Sequence, residues 1–219
     1  MPKIKTVLFD LDGTLADTAP DLAAALNHVL KTNDYDPLPF ETIRPVVSHG
    51  GIALVTLGFG EKHPEFDRLY KELLEHYQNN IANQTTLFPG MDELLLELES
   101  KNINWGIVTN KPAWLTDPLL DALNLTSRAA TIVSGDTLDQ RKPHPAPLLH
   151  ACNQAGSEAE ECLYIGDAER DIEAGNRAGM TSVVALFGYI AESDTPVNWG
   201  AHSMIDSPQA IIPIIQSLS

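Results

Sequence analysis

Five short apolar runs, each without polar alternation, constrain the fold of this chain more than any other feature. They lie at residues 6–9, 105–108, 131–133, 162–165 and 181–186. Runs of this kind are typical of strands buried on both faces of a parallel sheet. Helical patterns separate the later runs, as in the stripe of Met91, Leu94, Leu95 and Leu98. Because alternating strands and helices imply crossover connections, we predict an α/β fold with a doubly wound, Rossmann-like parallel sheet.

Residues 16–86 interrupt this alternation. One helical face is predicted by the spacing of Leu22, Ala25, Leu26, Val29 and Leu30. A second is predicted by Phe66, Leu69, Tyr70, Leu73, Leu74 and Tyr77. Asp17, Thr18 and Pro20 are candidates for the N-terminal cap and first turn of the first helix. We therefore predict a sheet core formed by 1–15 and 87–219, with an all-helical cap inserted at 16–86.

The charge of the chain limits its partners. The formal net charge is −16, from 14 Lys and Arg against 30 Asp and Glu. Nucleic acid and anionic membranes are therefore poor partners, whereas a small anionic molecule needs a local cation. No apolar run reaches the roughly 18 residues of a membrane span, and the start lacks a signal-peptide core, so we expect a cytoplasmic protein. Cys152 and Cys162 fit no metal spacing and are predicted to be buried thiols.

Polar residues follow four of the predicted strands, and these positions are Asp10 and Asp12, Thr109 and Asn110, Lys142, and Asp167 and Asp171. Each has an ordinary explanation when taken alone: a turn, a helix cap or a surface charge. The carboxyl ends of parallel strands meet at one edge of the sheet, however, and this is where sites form. Four carboxylates there would repel one another without a divalent ion. Oxygen ligands favour Mg²⁺ as this ion. A calcium-binding EF-hand loop is excluded, because the third acid and the final glutamate of such a loop are absent.

These residues resemble the four ordered motifs of the haloacid dehalogenase superfamily of phosphohydrolases. The matching segments are 10–14 (DLDGT), Thr109-Asn110, Lys142 and 166–171 (GDAERD). The helical insertion lies between the first and second motifs, which is similar to the helical-cap subclass. Within it, the chain resembles the phosphoglycolate phosphatases, and segments such as "RPVVSHGG" and "GDTLDQRKPHPAP" also resemble the N-acetylmuramic acid 6-phosphate phosphatases. The resemblance implies a Mg²⁺-dependent phosphatase that acts on a small phosphorylated metabolite, most directly 2-phosphoglycolate.

The resemblance also implies roles for individual residues. Asp10 would be the nucleophile that forms an aspartyl-phosphate, and Asp12 would be the general acid and base. The metal ligands would be Asp10, the backbone carbonyl of Asp12, and Asp167, while Asp171 would orient a water molecule or Lys142. The phosphate oxygens would be held by Thr109, Asn110 and Lys142.

Substrate choice is expected to depend on the cap segment "IRPVVSHGGIAL". Arg44 could pair with a substrate carboxylate, and His49 could hydrogen-bond to one. The alternative is that Arg44 forms a surface ion pair and that Gly50-Gly51 only breaks a helix.

Other functional classes compete with a phosphatase. A phospho-acceptor signalling domain needs its Asp on a middle strand, and this sequence has none before Lys142. A non-catalytic phosphate-binding protein would be expected to have lost Asp10 or Asp12, and a dehalogenase would need neither Asp12 nor Mg²⁺. A phosphomutase of the same fold shares every core motif, so the sequence leaves this alternative open.

Overall fold

The structure, a computed structural model, describes residues 3–218; residues 1, 2 and 219, which belong to the predicted core, lie outside the described residues. Its strands are β1 (Thr6–Phe9), β2 (Ala16–Asp17), β3 (Thr86–Leu87), β4 (Asn104–Val108), β5 (Thr131–Val133), β6 (Cys162–Gly166), β7 (Thr181–Ala185) and β8 (Ser203–Ile205). Its α-helices are α1 (Ala19–Thr32), α2 (Phe40–Ile43), α3 (Gly50–Phe59), α4 (Phe66–Asn79), α5 (Met91–Ser100), α6 (Ala113–Ala122), α7 (Ala146–Gln154), α8 (Glu169–Ala178) and α9 (Ile211–Ser217).

Six of the strands form one parallel sheet in the order β5-β4-β1-β6-β7-β8. The predicted doubly wound α/β fold is therefore confirmed. The sequence did not predict β8, which is only three residues long and lies at the sheet edge, where Met204 is 43% exposed. β1 lies in the middle, pairing with β4 on one side and β6 on the other, so the residues that follow these three strands are neighbours.

The core explains why the apolar runs lack alternation. All four residues of β1 and all five of β6 are buried, because helices cover both faces of the sheet. The stripe predicted on α5 is also buried, and it consists of Met91, Leu94, Leu95 and Leu98. Trp105 on β4 and Tyr164 on β6 are among the largest fully buried side chains.

Helices α1 to α4 occupy the interruption in the strand pattern. β2 and β3 enclose them and pair antiparallel, with Ala16 opposite Leu87. The Asp21 carboxylate reinforces this junction by accepting bonds from the backbone of Gln84 and from both the backbone and hydroxyl of Thr85. The two predicted helical faces lie on α1 and α4, and these helices pack against each other. The α1 face is buried, whereas on α4 only Leu69, Leu73 and Tyr77 are.

Thr18 precedes α1 as expected, but its side chain makes no capping hydrogen bond. The hydroxyl instead donates to Asp12 Oδ1 at 2.6 Å. Thr18 is therefore the N-cap residue by position, as predicted, but its side chain does not cap the helix, because the Asp12 carboxylate takes its hydroxyl.

Two further expectations concern cysteines and membranes. Cys152 and Cys162 are buried free thiols, as predicted. Between residues 3 and 218, the longest apolar helices fall short of what crossing a membrane requires.

Candidate active site

Asp10 follows β1 directly and lies at the middle of the sheet edge. It is only 3% exposed. Its Oδ1 accepts a bond from the Leu11 backbone amide at 2.7 Å and lies 2.8 Å from the Lys142 ammonium. Burial raises the pKa of Asp10 to about 6; Lys142 opposes this shift and Asp171 adds to it. Asp10 is thus a buried carboxylate that is oriented by the Leu11 amide and by Lys142, and Lys142 favours its charged form.

Lys142 is held by a second carboxylate and a phenol. Its Nζ lies 2.8 Å from Asp171 Oδ1 and donates to the Tyr164 hydroxyl at 2.8 Å. Asp171 Oδ2 accepts a bond from the Ala168 backbone amide at 3.1 Å. Burial disfavours ionisation of Asp171, but Lys142 and Arg170 outweigh it and hold the pKa of Asp171 below its usual value. Both oxygens of Asp171 are engaged, so its geometry is that of a residue that orients Lys142.

The residues after β4 lie at the same edge of the sheet, close to Lys142. Thr109 is 3% exposed, and its hydroxyl oxygen accepts a bond from the Lys111 backbone amide at 3.1 Å. The Asn110 side chain donates to the Lys142 carbonyl at 3.0 Å and accepts from the Lys142 amide at 3.1 Å. Asn110 therefore anchors the Lys142 backbone, and the expected phosphate contact would have to use its second amide hydrogen.

Asp167 completes a cluster of three buried carboxylates with Asp10 and Asp171, which offer oxygen atoms within 4.8 Å of one another. Burial raises the pKa of Asp167 to about 7, and the charges of Asp10 and Asp171 add to the shift. Lys142 and Arg170 supply two positive charges against the three carboxylates, so the cluster retains an excess of negative charge when all three are ionised. A buried set of carboxylate oxygens of this kind fits a hard divalent cation.

Asp12 is not part of this cluster, and its Oδ1 accepts bonds from Thr18 and Lys111 instead. Its side chain is 17% exposed, against 4% for that of Asp10. Gly13 follows Asp12 with a φ of +85°, and a Cβ at this position would clash with Asp167 Oδ2. Glycine is required at this position by both the left-handed backbone and the close approach of Asp167.

Sequence reasoning missed Lys111, which follows Asn110. Its Nζ donates to Asp12 Oδ1 at 2.8 Å and to the Tyr77 hydroxyl at 3.2 Å. Burial favours the neutral amine, but Asp12 and Tyr77 outweigh it and raise the pKa of Lys111. The position of Lys111 next to the Thr-Asn motif was the only signal in the sequence, because Tyr77 comes from the distant helix α4.

A cavity of about 480 Å³ lies between the strand ends and the helical insertion. Its polar wall includes Asp10, Asp12, Thr109, Asn110, Lys111 and Arg170. The opposite wall is largely apolar and includes Leu22, Val47, Ile52, Tyr70 and Leu74. The arrangement places the carboxylates of Asp10 and Asp12 in the wall of a chamber large enough for a small metabolite.

Of the two predicted cap residues, His49 and Arg44, only His49 lies at the cavity. His49 lines the cavity together with Gly50 and Gly51. Arg44 does not: its guanidinium donates to the carbonyls of Gly188 and Phe187 at 3.1 and 3.2 Å. The expected contact of Arg44 with a substrate carboxylate is therefore corrected, because its donors are already directed at a core loop. The alternative of a surface ion pair is also wrong, since these acceptors are backbone carbonyls.

Ser48 and Arg170 are two further cavity residues that the sequence did not single out. The Ser48 hydroxyl donates to Asp167 Oδ2 at 2.6 Å, and Arg170 donates to the Ser48 carbonyl at 2.6 Å. Through these bonds the helical insertion contacts the carboxylate cluster directly. No local pattern marks Ser48, because its partner is 119 residues away.

Comparison with known proteins gives consistent matches along the chain. Residues 7–185 match the family model described as haloacid dehalogenase-like hydrolase. A phosphoglycolate phosphatase of Xylella fastidiosa is 42% identical over 212 residues, covering 94% of this chain and 91% of that protein. An N-acetylmuramic acid 6-phosphate phosphatase of Pseudomonas aeruginosa is 38% identical over 215 residues, covering 97% and 95%. The crystal structure of a protein from Haemophilus somnus, described as a predicted phosphoglycolate phosphatase, superposes with a TM-score of 0.87 at 27% identity, covering 98% and 99%.

Proposed function

The chain belongs to the haloacid dehalogenase-like hydrolases, and on that basis we propose that it is a Mg²⁺-dependent phosphomonoester hydrolase. The observation that carries the proposal is the arrangement of two aspartates in one cavity wall. Asp10 is almost fully buried and contacts Lys142, whereas Asp12, two residues later, is more exposed and contacts Lys111. One site thus provides a carboxylate nucleophile and a separate acid–base carboxylate.

In the first step, Asp10 attacks phosphorus. A bond forms between an Asp10 carboxylate oxygen and phosphorus, the bond to the ester oxygen breaks, and an aspartyl-phosphate results. The Lys142 ammonium, 2.8 Å from Asp10 Oδ1, stabilises the negative charge that gathers on the transferring group. The Thr109 hydroxyl lies at the same cavity wall and is proposed to bind another phosphate oxygen.

Asp12 moves the protons. It donates a proton to the departing ester oxygen and then accepts one from the water molecule that hydrolyses the aspartyl-phosphate. A positioned acid–base group of this kind contributes roughly 10²- to 10⁴-fold to the rate. Its effect depends on the substrate, because a strongly basic alkoxide needs the proton more than a phenolate does.

Asp10, Asp167 and the backbone carbonyl of Asp12 would hold the Mg²⁺ ion. When bound, it supplies positive charge that neutralises the carboxylates and the phosphate. We also propose that residues 16–86 act as a cap over residues 1–15 and 87–219, with Ser48 and His49 on its inner surface. A closed cap excludes water and gives the substrate body its contacts.

Metal removal tests the proposed class of activity. Release of inorganic phosphate from a generic aryl phosphate should cease with EDTA and return with Mg²⁺. Ca²⁺ should restore it poorly, since it prefers more ligands and looser geometry. Full activity after exhaustive chelation would contradict the metal assignment. Transfer of the phosphoryl group to another hydroxyl of a sugar, without phosphate release, would favour the phosphomutase alternative.

The relatives suggest two substrates, 2-phosphoglycolate and N-acetylmuramic acid 6-phosphate, and the cavity favours the second. The two-carbon body of glycolate would leave most of the apolar wall uncovered in a chamber of about 480 Å³. An acetylated sugar with a lactyl arm is large enough to reach the apolar side chains of this wall, which include Ile52, Tyr70 and Leu74. Burial of apolar groups contributes about 0.8 kcal/mol per methylene, so the size of the substrate body has a large effect.

A substrate panel distinguishes these candidates. We expect kcat/KM for N-acetylmuramic acid 6-phosphate to exceed that for 2-phosphoglycolate by roughly 10²-fold, equivalent to three or four buried methylenes. Ile52→Ala should lower the value for the sugar phosphate and leave 2-phosphoglycolate unchanged, because Ile52 belongs to the apolar wall. A higher value for 2-phosphoglycolate, unaffected by Ile52→Ala, would reverse the order of the candidates.

A further inference from the structure

The ammonium of Lys111 lies between the proposed general acid and the helical insertion. It donates to Asp12 Oδ1 at 2.8 Å and to the hydroxyl of Tyr77 at 3.2 Å. It also lies 4.7 Å from the centre of the Tyr77 ring. The Lys111 side chain is only 7% exposed, so water screens these contacts little. Lys111 thus joins a residue of the sheet core to a residue of α4.

The contact with Lys111 determines how Asp12 can carry a proton. Asp12 Oδ1 accepts two bonds, from the Thr18 hydroxyl at 2.6 Å and from Lys111 at 2.8 Å. An oxygen that already accepts two donors has little capacity to bind a proton. The transferable proton is therefore directed to Oδ2, and the plane of the carboxyl group is fixed relative to the cavity.

Tyr77 makes this arrangement depend on the helical insertion. The side chain is fully buried in α4, and burial raises its pKa to about 12 although Lys111 opposes the shift. Tyr77 therefore remains a neutral phenol that offers Lys111 an oxygen acceptor and a ring face. If α4 moved away from the strand ends, Lys111 would lose both contacts and retain only Asp12.

We propose that Lys111 is a positioning residue for proton transfer by Asp12, and that Tyr77 couples this positioning to the seating of α4 over the strand ends. The inference rests on the proposed phosphatase function and adds to it a link between the helical insertion and acid–base chemistry. In this role Lys111 acts through its hydrogen bond to Asp12. It does not need to contact the transferring phosphoryl group.

A leaving-group series tests this role. Wild type, Lys111→Met, Lys111→Arg and Tyr77→Phe are compared by kcat/KM on aryl and alkyl phosphates whose leaving groups span a wide pKa range. For Lys111→Met we expect a loss of about 10- to 100-fold on alkyl phosphates, part of the range for acid–base catalysis, and less than about threefold on acidic aryl phosphates. The dependence of log kcat/KM on leaving-group pKa should become steeper. Lys111→Arg should restore part of the loss, because it keeps a charged donor.

Tyr77→Phe keeps the ring and removes the hydroxyl, so it should show the same pattern with a smaller loss and an unchanged fold. Lys71→Met, on the same helix as Tyr77 but 77% exposed, is the matched control and should behave as wild type. If Lys111→Met does not fold, Tyr77→Phe decides the question.

Other outcomes would overturn the inference. An equal loss on all esters in both variants would make Lys111 a structural residue. A higher KM confined to phosphate esters whose leaving group carries a carboxylate, with kcat unchanged, would make it a substrate contact. A wild-type protein that releases phosphate from no ester would overturn the proposed function and this inference together, whereas an active wild type with unaffected variants would overturn the inference alone.

Discussion

Asp10→Asn should abolish turnover of every phosphate ester, by at least about 10⁴-fold, the order lost when a catalytic nucleophile is removed. The carboxamide is neutral and a far weaker nucleophile, so it forms no aspartyl-phosphate. It also removes one of the three clustered carboxylates and thus weakens the proposed metal site. The measurement is phosphate release from an aryl phosphate and a sugar phosphate at saturating Mg²⁺.

The fold should survive this change. Asparagine is nearly isosteric with aspartate, and Lys142 keeps its other carboxylate partner, Asp171, at 2.8 Å. Because the buried Asp10 carboxylate has a raised pKa, its replacement by a neutral group removes an unfavourable charge. The circular dichroism spectrum and the melting temperature of Asp10→Asn should therefore remain near wild type. The control variant is Asp139→Asn, which changes an exposed carboxylate on the loop after β5 and should keep wild-type activity. Residual turnover within tenfold of wild type would exclude Asp10 as the nucleophile.

The second large effect is expected for Lys142→Met, which should damage both activity and stability. The variant leaves Asp10 and Asp171 buried without the cation that each contacts at 2.8 Å. Removing one partner of a buried ion pair costs about 3–5 kcal/mol. The loss of charge next to the transferring group should also lower kcat by about 10²- to 10³-fold. Urea unfolding and steady-state kinetics measure the two effects.

A double variant distinguishes the effect of Lys142 on stability from its effect on kcat. Lys142→Met combined with Asp171→Asn removes one uncompensated carboxylate, so it should recover much of the free energy of unfolding while leaving kcat low. Recovery of both quantities would mean that Lys142 serves only the fold. Stability unchanged in the single variant would contradict the ion-pair network itself.

The parts of the fold that sequence predicts are those governed by local patterns. The apolar runs at β1, β4 and β6 contain no polar alternation, because both faces of these strands are buried. Such runs indicate a parallel sheet without knowledge of the structure. β8 gives no such signal, because a three-residue edge strand with an exposed Met204 needs little apolar sequence.

The site divides in the same way. Asp10, Asp12 and Thr109 could be identified because each follows a predicted strand and the topology brings strand ends together. The directions of Arg44 and Lys111 could not be predicted, because their partners lie at Gly188 and Tyr77, far away in the chain. Side chains that join the helical insertion to the core depend on how the two pack, which no local spacing reveals.

The central claim is that the phosphoryl group is transferred to the Asp10 carboxylate before it is hydrolysed. Trapping this aspartyl-phosphate tests the claim most directly. Asp12→Asn should slow hydrolysis of the aspartyl-phosphate but allow its formation from an aryl phosphate, whose leaving group needs little protonation. The variant is mixed with an aryl phosphate and Mg²⁺, quenched in acid, digested and analysed by mass spectrometry. We predict one phosphoryl group on Asp10, removed by hydroxylamine and absent from the Asp10→Asn/Asp12→Asn double variant. Continued phosphate release without a phosphorylated Asp10, or a phosphoryl group on another residue, would contradict the mechanism.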